Sequence, residues 1–408
     1  LAVVLLVVVW RGAAWSHSRE MSNIRGVAQT SVQLSAKAAE QGDYKQAREL
    51  LNEALGRTGD ELDLADLRNF IVSRLQLVET NRLELLRRDV ESKLEIAKAS
   101  FRDGKYESAR TALATLTALL ADETELPEVS SEVRRQTIAV AAALKEQEAV
   151  ADTRKRFNEF LVELDQARVR SSFPDDEDVS EDAQLAVEHA RTALALFDLD
   201  RSNPFAEPPQ NFSERLPWTR EWQRETGRWP LAVLRDGTFE LMLTAAEMEW
   251  WLARHESDED KVAAALRSLS WTTKAKTIGL TSQALLAREA NYLQEAGREE
   301  EAQRVFAQAK KIRPQTALDY YLIAENLRVR GLFNEALEFY LKAQQLSPDH
   351  YWVQHFLGLC YRNLGQHAAA ASSFSACIAR RPDYPWAYVL RGICSAELGQ
   401  FDNCYADF

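Results

Sequence analysis

The stretch that decides the fold is GLFNEALEFYLKAQQLSPDH, residues 331–350. Its proline, Pro348, stands 34 residues after Pro314 and 34 before Pro382. Laid out in blocks that begin at Gln283, Ala317, Tyr351 and Pro385, the surrounding chain repeats in other columns too. Glycine recurs at Gly297, Gly331, Gly365 and Gly399, and a small residue follows five positions later at Ala302, Ala336, Ala370 and Cys404. An aromatic comes four further on (Phe306, Tyr340, Phe374, Phe408), then a second small residue at Ala309, Ala343 and Cys377.

Each column has a physical cause. Glycine takes the turn that ends a first helix, at little steric cost. Small residues belong where two helices approach too closely for a larger side chain. The aromatic lies one turn along the same face and is expected to fill the groove between successive hairpins. Proline stops the second helix and presets the next turn. Thr316 and Asp319, in TALD (316–319), add a capping box at the start of the second block.

At this fixed period the blocks closely resemble tetratricopeptide repeats, over three complete units and most of a fourth, residues 283–408. The first-helix small position holds Ala290, Ala324, Gly358 and Gly392, whereas the early tryptophan position, with Leu286, Tyr320, Gln354 and Tyr388, departs from the family. The resemblance implies an all-α fold in which helical hairpins lead into a right-handed superhelix, an α-solenoid. The four cysteines, Cys360, Cys377, Cys394 and Cys404, fall in helix-A or small-residue columns and read as core residues.

Upstream, residues 16–198 read as a long-helix region with two similar hairpins. In one, Gly42 and Asp43 break a helix before Tyr44; in the other, Gly104 precedes Tyr106. The acidic run PDDEDVSED (174–182) reads as a solvated loop. Residues 199–237 bring prolines together with Trp218, Trp222 and Trp229 and read as a linker; the stretch contains no P-x-x-P. Residues 238–282 fit one or two degenerate hairpins.

The chain opens on LAVVLLVVVW, ten apolar residues before Arg11. A membrane helix takes about 20, so residues 1–15 are expected to be the trailing half of a single-pass anchor, closed by Trp10 and Arg11. A signal-peptide core and a buried helix are the alternatives. On this reading the protein is membrane-anchored, with the side carrying the repeats left open.

Composition narrows the function. An apolar content of 46% suits a sizeable core, and a formal charge of −12, from 62 acidic and 50 basic residues, argues against binding a phosphate backbone. No G-x-G, H-R-D, D-F-G, H-E-x-x-H or G-x-S-x-G occurs, and no C-x-x-C. His350 and His355 are five apart, which does not place them on one helix face. The expectation is a non-catalytic chain with no cofactor, metal, nucleic acid or small-molecule substrate.

Stacked hairpins of this family present helix A on a concave side, the usual seat of a peptide or partner helix. The positions expected to face that groove are Asn291, Tyr321, Glu325, Arg328, Trp352, His355, Leu359, Arg362 and Trp386. The aromatics are the natural anchors, and Arg328 and Arg362, one repeat apart, suit a carboxylate. The lysine–asparagine clamp by which some members hold a terminal carboxylate is missing: the matching pairs are Ala287 with Asn291, Tyr321 with Glu325, and His355 with Leu359. The layout as a whole is similar to the region after the catalytic domain in membrane-anchored serine/threonine kinases of the planctomycete type. That implies a sensor or docking arm of a larger signalling protein; the alternative is an assembly or secretion scaffold with no kinase attached.

Overall fold

Alanine, leucine and long charged side chains dominate the sequence, and all regular structure among the described residues is helical. The structure, a computed structural model, describes residues 2–172, 179–199, 205, 230–253 and 256–408. Trp218, Trp222 and Trp229 of the expected linker, and residues 174–178 of the acidic run, lie outside them. The chain forms two compact units, residues 1–148 and 149–408. The division falls inside a helix and not in the stretch 199–237.

In the first unit, α1 (Ala2–Glu40) and α2 (Tyr44–Thr58) form a hairpin, as do α3 (Ala65–Arg102) and α4 (Tyr106–Leu119). Both turns are made by glycines at positive φ, Gly42 and Gly104, and Asp43 caps α2 by accepting from the Gln46 amide at 2.9 Å. Two apolar clusters hold the unit. Ala28, Leu51, Ala54 and Ile71 are buried in one; Val90, Leu94, Leu113 and Leu116 are buried in the other, together with Val129 and Val133 of α5 (Pro127–Arg170).

No helix among the described residues is long and apolar enough to cross a membrane. This overturns the expected single-pass anchor over residues 1–15, and with it the expected membrane localisation and contact. The apolar run amounts to about 15 Å of helix at 1.5 Å per residue, against a hydrocarbon layer of about 30 Å. It continues unbroken into the charged remainder of α1, whose side chains begin to be buried at Ala28.

The second unit takes the rest of α5, then α6 (Val179–Ala195), α7 (Pro230–Leu252) and α8 (Asp258–Thr277), of which α7 and α8 pair as a hairpin. Four hairpins follow at the 34-residue period: α9 (Gln283–Glu295) with α10 (Glu299–Ala309), α11 (Ala317–Val329) with α12 (Phe333–Leu346), α13 (Tyr351–Asn363) with α14 (His367–Arg380), and α15 (Pro385–Glu397) with α16 (Phe401–Asp407). Thr316 and Asp319 form the capping box: each side chain accepts from the other's amide at 3.1 Å. At Gly331, φ is +75°, and the amide of Leu332 reaches back to the Leu327 carbonyl at 2.9 Å, a bond that closes α11 only if the chain turns left-handed there.

The small-residue columns are buried, and Tyr340 and Phe374 are fully enclosed. Phe306 is not: it is 45% exposed, with the Lys310 ammonium 4.6 Å from its ring centroid. Phe408 also stays exposed.

Phe374 has its seat because Gly358 faces it. A Cβ built on Gly358 falls 2.6 Å from Cε1 and 2.8 Å from Cζ of Phe374, inside van der Waals contact. Gly358→Ala is therefore expected to destabilise the second unit by about 2–3 kcal/mol, the upper part of the range for overpacking. Urea unfolding followed by tryptophan fluorescence isolates that unit, since every tryptophan but Trp10 and Trp15 lies within it. A shift below about 0.5 kcal/mol would show that the ring moves aside freely.

Candidate functional site: the helix-A face of the repeats

Tyr321, Glu325 and Arg328 follow one another at four and three residues on α11, and Trp352, His355, Leu359 and Arg362 at three, four and three on α13. Such spacing puts each set on one helix face. All but Arg362 are buried. What buries them is the chain itself: the second half of α5 and the length of α7 pack against this face.

The contacts are polar and directed. Arg328 donates to the carbonyls of Ser171 and Ser172, both at 2.9 Å, and holds the end of α5. Cations belong at a helix C-terminus, where the last carbonyls lack partners. The same guanidinium donates to both oxygens of Glu325, at 3.2 and 2.9 Å, and Glu325 also accepts from the Tyr340 hydroxyl. One turn before that end, Asp165 accepts from the Trp352 indole at 2.6 Å and from Arg381 at 2.7 Å. Arg168 donates both ways to Glu240 of α7, at 2.7 and 2.6 Å, and its guanidinium lies 5.7 Å from the Trp352 ring centroid. Tyr321 donates to Glu240 at 2.9 Å, while seven residues further along α7 Glu247 accepts from Tyr292 at 3.0 Å and Arg288 at 3.2 Å.

Charges this deeply placed persist because each has a geometrically matched partner. Burial pushes the Glu325 carboxyl up from its ordinary value, against the pull of Arg328. Burial also raises the Tyr321 phenol well above its usual range, and the neighbouring Glu240 adds to it. His355 is held neutral: burial, then the nearby Arg328, push it down to about 3. Close approach of α5 to α7 needs Gly237, where a Cβ would stand 2.9 Å from Leu164 Cδ2 and 3.0 Å from Phe160 Cε1.

Of the nine positions expected in the groove, then, Tyr321, Arg328 and Trp352 are bonded to α5 or α7, and Glu325, His355 and Leu359 are buried beside them. Asn291 and Arg362 are half-buried, and Trp386 is 43% exposed. Sequence reasoning missed Asp165, Arg168, Glu240 and Glu247. A signal for the last two is present: they lie seven residues apart on one face of α7 between apolar neighbours, and a carboxylate buried there requires a partner. The four cysteines are buried and unpaired, and burial pushes Cys360 and Cys377 up to about 12, so both remain thiols at neutral pH.

The tetratricopeptide-repeat family profile matches residues 353–384, the third hairpin. No curated protein matches. Solved structures that are similar include the human IFIT1 dimer with PPP-AAAA, at 14% identity and a TM-score of 0.32 over 92% of this chain and 65% of that one. Yeast Tom70 is similar at 14% identity and a TM-score of 0.28, over 94% and 91%. The APC/C hetero-tetramer Cut9–Hcn1 follows at 13% and 0.29, over 91% and 84%. The chain spans somewhat less than two thirds of the IFIT1 length, and at these TM-scores none of the three bears on its function. The chain is an all-α protein whose helical hairpins run into a tetratricopeptide-type, right-handed α-solenoid.

Proposed function

We propose that this chain is a non-catalytic protein-interaction module, and that a protein or peptide partner engages the part of the helix-A face that α5 leaves open, at Asn291, Arg362 and Trp386. The observation that carries the reading is the way the same face holds α5: aromatic and arginine side chains of helices A grip a helix by a carboxylate at Asp165 and by its terminal carbonyls at Ser171 and Ser172. A surface that recognises one helix so specifically is chemically suited to another polypeptide beside it. The role of docking arm for a serine/threonine kinase rests on the layout of the sequence.

The test is a double variant, Arg362→Ala with Trp386→Ala, set against the parent chain in pull-downs from the native cell. Neither residue is fully buried, so circular dichroism and melting should be preserved. Partners recovered with the parent are expected to fall at least about tenfold, the loss of one strong anchor. Equal recovery by the double variant refutes the assignment of this surface. Trp352→Ala does not serve this purpose, because it removes a buried indole bonded to Asp165 and so tests folding.

A further inference from the structure

Next to the Asp165–Trp352 contact lies a cavity of about 560 Å³ that the polar network does not fill. It falls within the size range of small-ligand sites. Leu161 and Leu164 of α5 and Val233 of α7 form an apolar wall, and Tyr321, Tyr351 and Trp352 an aromatic one. Its charged groups do not balance in use. The two arginines that line it are engaged, Arg168 by both oxygens of Glu240 and Arg381 by Asp165. Asp236, half-buried in the α7 wall, is served by the adjacent Arg235 alone among the described residues. Both Arg235 contacts, at 3.0 and 2.9 Å, fall on Oδ1. Two other carboxylates stand in the lining, Asp165, which is engaged as above, and Asp349, which is exposed and lies 3.5 Å from Arg380.

The electrostatics of Asp236 agree with a missing cationic donor. Burial pushes the Asp236 carboxyl up from its ordinary value, and Glu240 and Asp319 add to the push after Arg235 has opposed it.

We propose that this cavity binds an organic cation, an ammonium or guanidinium group on a short aliphatic stem. Asp236 takes the charge through the oxygen that Arg235 leaves unserved, Oδ2, and the apolar and aromatic walls hold the stem. An anionic ligand would face Asp236 and Asp349, and a neutral one would leave Oδ2 of Asp236 without a charged donor. The cation belongs either to a free aliphatic amine or to a lysine or arginine side chain of a polypeptide. The inference stands independently of the proposed partner surface.

Calorimetric titration of the full 408-residue chain decides it, with putrescine and, separately, with acetyl-Ala-Lys-Ala-amide as titrants. Saturable 1:1 binding of at least one is expected, weakened about tenfold or more by Asp236→Asn, as loss of a charge-assisted contact implies. The asparagine keeps an acceptor for Arg235, and an unchanged melting temperature establishes that the variant folds. Binding of putrescine alone identifies a free amine, and binding of the peptide alone a side chain; both outcomes support the site. Glu300→Gln, on an exposed residue, should bind like the parent. The proposal fails if neither titrant binds at millimolar concentration, if Asp236→Asn binds as well as the parent, or if Glu300→Gln weakens binding equally. The last result would reduce the effect to general attraction by a chain of charge −12.

Discussion

Arg328→Ala is expected to lower the stability of residues 149–408 by about 3–5 kcal/mol, the cost of removing one member of a buried ion pair. The size follows from what the guanidinium leaves behind. Glu325 stays buried without its bidentate partner, and the carbonyls of Ser171 and Ser172 lose the donors that end α5. Lysine is a poor substitute, since one ammonium does not present a planar fork to a carboxylate and two carbonyls together. Arg328→Met combined with Glu325→Leu is expected to recover most of the loss, because the orphaned charge goes with its partner. Urea unfolding by tryptophan fluorescence measures the global change. Hydrogen exchange supplies the local one: amides around Phe160 and Leu164 should lose protection first, since the second half of α5 is what Arg328 fastens. A cost below about 1 kcal/mol, with unchanged exchange along α5, would mean that the apolar contacts of Phe157, Phe160 and Leu164 hold the helix end unaided.

These residues also mark the limit of sequence reading. The columns at Gly331, Ala336, Tyr340 and Ala343 are legible because helix periodicity and turn chemistry are local, and the Thr316–Asp319 cap is legible for the same reason. Tyr321, Glu325 and Arg328 can be assigned to one face from spacing alone. That the face is covered by α5 cannot, because Arg328 and Ser172 are 156 residues apart and Trp352 and Asp165 are 187 apart. No period links such positions, and Asp165 and Arg168 look like any solvated pair on a charged helix. Phe306 is exposed for a related reason: the aromatic column is a local signal, but burial of its ring depends on what packs over it, which the column does not encode. The opening run of α1 misled differently: its composition suits a membrane helix, but no helix among the described residues is long and apolar enough to cross a membrane.

His355 makes the second unit sensitive to mild acid. Its ring sits among Tyr351, Trp352, Phe356 and Phe374, and Nδ1 has no hydrogen-bond partner. Burial and Arg328 push it down to about 3, against about 6.5 in the unfolded chain. The unfolded state therefore takes up a proton that the folded state refuses, over the window from pH 6.5 down to about 3. Stability is unaffected above 6.5 and falls by about 1.4 kcal/mol for each pH unit below it. Glu325 and Asp236, raised in the folded state, act in the opposite sense, so the contribution of His355 has to be read as a difference. His355→Phe keeps an aromatic ring in the cluster and removes both the titration and the orphan nitrogen. At pH 7.5 the variant is expected to be as stable as the parent or up to about 1 kcal/mol more so. By pH 5 the gap should have widened by about 2 kcal/mol in favour of the variant. Denaturant midpoints of the two proteins across that range give the answer. Parallel profiles would require that His355 gain a proton in the folded unit, and so that water reach a ring which the structure encloses between Phe356 and Phe374.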